Sequence, residues 1–279
     1  MKIYPKTNEY LEGIEEFEKT LKEYKGIEIQ YFKKSDKELV DFKIEKPIEQ
    51  ILEKYPYIEE ITIHPPLCDY ELEIVLLKDK NIFLNQIKTI VRLSKKYNIK
   101  INIVEHTRLL MSQAELTILP VLEKAKKIMK NTNTKIVFEN IYMMEEQENC
   151  SVIELCEYLN SENMKVCIDM CHLYCQAHIY KKKIEEFLEK YLNKEKCQRQ
   201  VYQIHFAYTA NEDGYIDRTT HAIMHPNEET LYYDAKLLCQ YGMEDCNWIT
   251  EVSEKDYSTR KDQVNEIKML SNQKIKLEE

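Results

Sequence analysis

The stretch KVCIDMCH, residues 165–172, carries the pattern that decides the fold. A short run rich in apolar and β-branched residues ends in an acidic side chain, Asp169, and His172 follows three positions later. A short apolar run of this kind is typical of a buried strand, and the residues after it have helical spacing. The stretch therefore predicts a strand that delivers Asp169 and His172 to one pocket at the turn into a helix.

The same pattern recurs along the whole chain. Short runs rich in Ile and Val alternate with longer segments whose apolar residues are spaced three and four apart, as on one face of a helix. From Ile27 onward, successive runs begin far enough apart for a β–helix–β unit, which needs about 30 residues. The predicted strands are Lys2–Tyr4, Ile27–Phe32, Glu60–His64, Lys100–Glu105, Lys135–Glu139, Lys165–Asp169, Val201–His205 and Asn247–Glu251.

These units predict an α/β fold with one closed (β/α)8 TIM barrel, spanning residues 1–279 as a single domain. No Pro-, Gly- or Ser-rich linker separates the units. The alternative, an open doubly wound sheet, usually has a glycine-rich first turn, whereas the four glycines of this chain are scattered. The charged segment 274–279 is expected to fray.

Composition excludes several classes of function. With 40 Lys and Arg against 49 Asp and Glu, the formal net charge is −9, so a global basic footprint for nucleic acid is absent. Scattered glycines also exclude a P-loop and a dinucleotide fingerprint. The start MKIYPKTNEY has no apolar export segment and no long apolar run follows, which predicts a cytoplasmic protein without membrane contact. The nine cysteines are expected to be mostly buried apolar residues.

Ionisable residues gather at the ends of the predicted strands. In a parallel barrel all carboxyl ends of the strands open onto one face, where active sites lie. One such residue alone is most often a solvated loop residue, but a repeat over six successive strands predicts a common pocket. The strand-end residues are His64, His106, Glu139, Asp169, His205 and Glu251, with His172 and His221 beside them.

Clustered carboxylates without a countercharge repel one another, and a metal ion removes that cost. Imidazole and carboxylate ligands without thiolate suit zinc, manganese or iron better than calcium. Arg108 and Arg218 lie near the predicted mouth of the barrel. Either arginine could bind a substrate phosphate through two hydrogen bonds or form salt bridges with the local acids.

Between about Ile61 and Glu251 the chain resembles the xylose isomerase-like TIM barrels, and among them most closely the endonuclease IV type. Four segments carry the resemblance: Val137–Asn140 matches the family's I-E-N, and Val166–His172 matches its V-C-I-D-x-C-H. His205 with Asp217-Arg218 matches its H followed by D-R-H, and Ile249–Glu251 matches its L-E-T.

The resemblance implies three zinc ions. His64 and His106 would hold one ion, with Glu139 bridging to a second that Asp169, His205 and Glu251 complete. His172, Asp217 and His221 would hold the third. His221 lies two residues beyond the family position, so Thr219 stands in its place, and His221 or His225 is left as the ligand.

The resemblance implies a phosphoester hydrolase in which a metal-bridging hydroxide attacks phosphorus, while Glu139 and Glu251 orient it or carry its proton. The substrate could be DNA at abasic sites, although the glycine-rich loops that touch DNA in the family are absent here. The alternative is a sugar or sugar-phosphate isomerase or epimerase with one Mn²⁺, Co²⁺ or Mg²⁺ ion and Glu139 and Glu251 as its acid–base pair. A third alternative is a barrel that binds a partner without catalysis. The sequence leaves the oligomeric state open.

Overall fold

The computed structural model describes residues 1–31, 44–65, 72–106, 119–140, 151–210, 222–254 and 256–278. Its centre is a closed barrel of eight parallel strands in sequential order, with the last strand paired to the first. The predicted (β/α)8 TIM barrel is therefore confirmed. Among the described helices, none combines the length and apolar character needed to cross a bilayer.

The strands lie close to their predicted positions. They are β1 Lys2–Asn8, β2 Gly26–Gln30, β3 Glu60–His64, β4 Lys100–His106, β5 Lys135–Glu139, β6 Met164–Asp169, β7 Val201–Phe206 and β8 Asn247–Thr250. The main difference is β1, which continues four residues beyond the predicted end at Tyr4. This extension is decisive for the site, because it carries Lys6 into the barrel, where the ammonium is buried.

Helices cover the outside of the barrel. A short 3-10 turn, Ile14–Phe17, leads into the first of them. The described helices are α1 Glu18–Tyr24, α2 Glu45–Lys54, α3 Leu72–Tyr97, α4 Leu119–Met129, α5 Ser151–Leu159, α6 Met170–Ile179, α7 Ile184–Tyr191, α8 Lys194–Gln200, α9 Glu228–Gln240 and α10 Lys261–Glu278.

Apolar residues on the helices and on the strands form one continuous core between the two layers. In α4, for example, Leu122, Ala125 and Met129 are buried at the spacing of one helical face, while the lysines between them face outward. Six of the seven described cysteines are buried and the seventh, Cys239, is half-buried, which agrees with their predicted role as small apolar residues.

Candidate metal centre

Six side chains meet inside the carboxyl-terminal end of the barrel, and we call them the ligand cluster. They come from the carboxyl ends of six successive strands, β3 to β8, which open onto one face of a parallel barrel; Glu251 directly follows β8. Five of the six are buried, and Glu251 keeps 16% of its side chain exposed. The members of the ligand cluster are His64, His106, Glu139, Asp169, His205 and Glu251.

Two sets of ligand-type atoms within this cluster share Glu139. Glu139, Asp169, His205 and Glu251 bring one ligand-type atom each to within 4.8 Å of one another. His64, His106 and Glu139 form a second such set. A carboxylate common to two sets is the arrangement expected when it bridges two ions.

Three imidazole nitrogens approach the same oxygen of Glu139. His106 Nε2 lies 3.2 Å, His205 Nδ1 3.3 Å and His64 Nε2 3.5 Å from Glu139 Oε2. Two ligands of a tetrahedral ion with bonds of about 2.0 to 2.1 Å are roughly 3.3 Å apart. The spacing of these atoms therefore fits ligands that surround an ion.

Buried polar atoms without hydrogen bonds provide the test of whether a metal fits. Glu139 Oε2, His205 Nδ1 and Glu251 Oε2 are all buried and make no hydrogen bond within the described residues. His205 Nδ1 and Glu251 Oε2 are only 2.7 Å apart. Because leaving such atoms unpaired is costly, their convergence at one point indicates a site for a cation.

The backbone orients two of the histidines. His64 Nδ1 is 2.9 Å from the carbonyl oxygen of Pro65, and His172 Nδ1 is 2.7 Å from that of Asn140. A carbonyl oxygen accepts hydrogen bonds but donates none. Each Nδ1 therefore carries the ring hydrogen, and Nε2 of the neutral ring keeps its lone pair. The Nε2 atom of His64 is the one that faces Glu139.

Asn140 and Asp169 hold the ends of β5 and β6 together. The backbone N–H of Asp169 donates to Asn140 Oδ1 at 2.6 Å, and Asn140 Nδ2 donates to the carbonyl of Asp169 at 3.2 Å. Asp169 also caps α6, since its Oδ1 accepts the backbone N–H of His172 at 2.8 Å. These bonds explain why KVCIDMCH places Asp169 and His172 together: His172 Nδ1 lies 3.7 Å from Asp169 Oδ2.

The electrostatics keep the carboxylates ionised. Burial raises the pKa of Glu139, but His205 and His106 outweigh burial and hold that pKa well below its usual value. Burial likewise opposes ionisation of Glu251, while His205 and Lys6 lower its pKa well below normal. Burial lowers the pKa of His64 and of His172, which favours the neutral imidazole that metals bind.

Sequence reasoning missed Lys6 on β1 and Glu28 on β2. Lys6 Nζ is 2.6 Å from Glu251 Oε1 and 3.0 Å from Glu28 Oε1. Burial lowers the pKa of Lys6, but Glu251 and Glu28 more than compensate and raise it. The sequence does contain one signal for Glu28. It is an acidic residue between two isoleucines, Ile27 and Ile29, in a strand that is buried along its whole length.

Cys167 also reaches this region. It forms a set of ligand-type atoms with Glu139 and His205. Burial raises the pKa of its thiol to about 12, so the thiol is protonated at neutral pH. Among the described cysteines, Cys167 is the one that the ligand sets include.

Of the nine predicted ligands, the structure describes seven and gathers them at this end of the barrel. His172 lies beside the ligand cluster, with Nδ1 3.6 Å from Glu139 Oε1. Asp217 and His221 lie outside the described residues, as do Thr219 and the predicted phosphate-binding residues Arg108 and Arg218.

His225, the alternative to His221, belongs to a separate buried group that we call the His225 cluster. It consists of the buried residues His225, Glu266 and Asp234 and the half-buried Tyr174. His225 Nδ1 pairs with Glu266 and Nε2 lies 3.2 Å from Asp234 Oδ2, so both ring nitrogens are engaged. This arrangement leaves His225 without a ring nitrogen for a metal ion.

The family model for xylose isomerase-like TIM barrels matches residues 17–228, and the chain belongs to that family. Members of this superfamily are enzymes. No curated protein matches the chain in sequence.

Solved structures of similar fold include proteins with different named activities. A D-tagatose 3-epimerase-like protein is 16% identical, with a TM-score of 0.62 and coverage of 100% of this chain and 98% of that one. The IOLI protein with a bound zinc atom is 16% identical, with a TM-score of 0.65 and coverage of 99% and 98%. Endonuclease IV from Thermus thermophilus is 13% identical, with a TM-score of 0.57 and coverage of 98% and 100%. At these identities the likeness establishes the fold, and the reaction has to be argued from the site.

Proposed function

We propose that this protein is a divalent-metal-dependent hydrolase that cleaves a phosphoester at a centre of at least two ions, with zinc as the first candidate. The observation that carries the proposal is the convergence of His64 and His106 on the oxygen of Glu139 that also faces His205. One ion needs only Glu139, Asp169, His205 and Glu251. The two additional buried histidines supply a second ion with its own ligands.

The charges in the pocket suit an anionic substrate only when cations are present. Among the described residues, the pocket holds four carboxylates, those of Glu28, Glu139, Asp169 and Glu251, and one ammonium, that of Lys6, which pairs with Glu28 and Glu251. This excess of negative charge repels a phosphate. Divalent ions held by the ligand cluster would offset this charge, and they would supply a Lewis acid for a phosphoryl oxygen and a bound water with a pKa of about 7.

Glu139 and Glu251 have different tasks in this proposal. Glu139 uses one oxygen to face three imidazoles and therefore serves as the shared ligand. Glu251 has its Oε1 bonded to Lys6, so Oε2 is left to face the centre and to orient the attacking water. We assign the third ion of the resemblance to His172, Asp217 and His221, and the positioning of the substrate phosphate to Arg108 and Arg218.

The second candidate is a sugar or sugar-phosphate isomerase or epimerase. It is favoured by the set Glu139, Asp169, His205 and Glu251, which by itself offers four ligand-type atoms to one ion. Glu139 and Glu251 would then exchange protons with the sugar from opposite sides. The bond between Lys6 and Glu251 argues against this candidate, because it leaves one oxygen of the proposed base tied to an ammonium.

Counting metal ions separates the two candidates. The protein is purified without chelator or added metal, and the number of metal ions per chain is measured by inductively coupled plasma mass spectrometry. Hydrolysis of bis(p-nitrophenyl) phosphate and of an oligonucleotide with an abasic site is measured on the same preparation. We expect at least two ions in the wild type, one fewer in His106→Ala, and loss of phosphodiester hydrolysis in that variant. His178→Ala, which changes an exposed histidine of α6, serves as the matched control. This variant is expected to keep the metal content and the phosphodiester hydrolysis of the wild type.

One ion per chain in the wild type, unchanged in His106→Ala, would overturn the hydrolase proposal. Turnover of a ketose or a ketose phosphate by that one-ion protein would then establish the second candidate.

A further inference from the structure

Beneath the ligand cluster lies a buried ion pair that the proposed chemistry does not use directly. Strands β1 and β2 contribute no member of the ligand cluster, yet each places a charged side chain inside the barrel. Lys6 pairs with Glu28 in the register of the two strands. Lys6 is 7% exposed and Glu28 is fully buried.

The ion pair contacts two ligands of the predicted metal. Lys6 Nζ lies 2.6 Å from Glu251 Oε1 and 3.0 Å from Glu28 Oε1. The other oxygen of Glu28, Oε2, lies 3.0 Å from His205 Nε2. His205 therefore turns one nitrogen towards Glu28 and the other, Nδ1, towards Glu139 and Glu251.

Gln203 also contacts Glu28, as a hydrogen-bond donor. Its Nε2 donates to Glu28 Oε2 at 2.7 Å, and its Oε1 accepts the hydroxyl of Thr62 at 3.3 Å. The threonine hydroxyl fixes which end of the amide faces Glu28. Glu28 thus forms an ion pair with Lys6 through Oε1, while its Oε2 accepts a hydrogen bond from Gln203 and faces His205.

This environment determines the tautomer of His205. A carboxylate that is paired with an ammonium accepts hydrogen bonds and cannot donate one. Gln203 Nε2 also lies 2.9 Å from His205 Nε2, but a lone pair on that ring nitrogen would face the carboxylate oxygen of Glu28 at 3.0 Å. The charged oxygen therefore favours a hydrogen on Nε2, and a neutral ring then has its lone pair on Nδ1. A carboxylate that accepts the far N–H of a metal-bound histidine fixes the ring and strengthens the ligand.

We propose that Glu28, held by Lys6 and Gln203, is a positioning residue that presents His205 Nδ1 to the metal, while Lys6 restricts Glu251 to its Oε2 atom. The inference rests on the metal centre of the proposed function. It assigns to β1 and β2 a role in metal affinity that the ligand residues alone do not explain.

The affinity of the protein for zinc tests this role. Glu28→Gln keeps the size of the side chain, but its amide oxygen is drawn to Lys6 and its NH2 group then faces His205, which favours the opposite tautomer. We expect zinc to bind 10- to 100-fold more weakly, measured by competition with a chromophoric chelator. The matched control is Glu266→Gln, which alters a buried glutamate paired with His225 and is expected to leave zinc affinity unchanged.

Two further measurements keep the test decisive if Glu28→Gln folds poorly. Glu28→Asp keeps the charge opposite Lys6 but withdraws the carboxylate from His205, and we expect an intermediate loss of affinity. In ¹⁵N-labelled, zinc-loaded wild type, the ring of His205 is expected to carry its hydrogen on Nε2. A purely structural role for Glu28 would leave that NMR signature unchanged in the variants.

Wild-type affinity and an unchanged His205 signature in both Glu28 variants would overturn this inference and leave the proposed function standing. A wild type that binds zinc but cleaves no phosphoester would overturn the proposed function, while the affinity comparison would still decide the role of Glu28. A wild type that binds no divalent ion would overturn both.

Discussion

The ligand cluster and the His225 cluster are built from the same kinds of side chain, yet they differ in one respect. Each combines buried histidine with glutamate and aspartate. In the His225 cluster every ring nitrogen and carboxylate oxygen has a partner: Glu266 accepts both the ring and the backbone N–H of His225, and Asp234 accepts His225 and Tyr174. In the ligand cluster, one atom each of Glu139, His205 and Glu251 makes no hydrogen bond within the described residues, although these atoms lie close to one another.

The comparison separates a self-contained polar cluster from a candidate metal site. A fully bonded cluster closes the contact between the segment after β7 and helices α6, α9 and α10, and it needs nothing from outside. Converging buried atoms without hydrogen bonds are, by contrast, the pattern expected of a cation site. Burial and residue type are alike in the two clusters, so what distinguishes them is whether every buried polar atom makes a hydrogen bond.

The largest expected effect is that of Glu139→Gln. Removing the shared carboxylate charge takes a ligand from both sets, so we expect loss of bound metal and a fall of about a thousandfold or more in phosphodiester hydrolysis. Metal content and initial rates measure the two effects. Full metal content and near-normal rates in this variant would show that Glu139 is not the shared ligand.

Glu266→Gln is expected to act on stability instead. Replacing one partner of a buried, hydrogen-bonded charge pair costs about 3 kcal/mol of the free energy of unfolding. Urea denaturation at pH 7 measures this loss, and metal content should stay at the wild-type value. Loss of metal from a folded Glu266→Gln protein would show that the two clusters are coupled.

The His225 cluster also predicts a pH dependence. Burial lowers the pKa of His225, but hydrogen bonds to Asp234 and Glu266 raise it to about 9. Because the folded pKa lies above the unfolded value, the stabilisation is complete below about pH 6.5 and is lost as the pH rises through 9. The shift corresponds to a contribution on the order of 3 kcal/mol.

The difference in unfolding free energy between wild type and His225→Gln should accordingly be larger at pH 6 than at pH 10. Using the difference removes the titration of groups that the two proteins share. A difference that grows as the pH rises would contradict the charged state of His225.

The smallest expected effect is stabilisation by added zinc. An ion that binds the folded chain at about 100 times its Kd raises the free energy of unfolding by about 2.7 kcal/mol. We expect thermal unfolding of wild type and of Glu266→Gln to shift upward with zinc, and that of Glu139→Gln to stay in place. Equal shifts in all three proteins would place the bound zinc outside the ligand cluster.

Much of the barrel could be predicted from local patterns. The eight strands appear in the sequence because each is a short apolar run followed by a helical segment, and β3 and β5 have the predicted bounds. The end of β1 was missed, since Pro5, Lys6 and Thr7 interrupt the apolar pattern there. Those residues remain extended because β1 closes the barrel between β2 and β8.

The sequence by itself determined the fold and the identity of the strand-end residues, since parallel strands of a closed barrel must bring their carboxyl ends together. Only the tertiary structure decided how those residues combine. It placed Glu139 opposite three imidazoles, paired Lys6 with Glu28, and gave His225 its own carboxylates. These contacts join residues from distant parts of the chain, and their hydrogen bonds depend on ångström-scale geometry that no local spacing encodes.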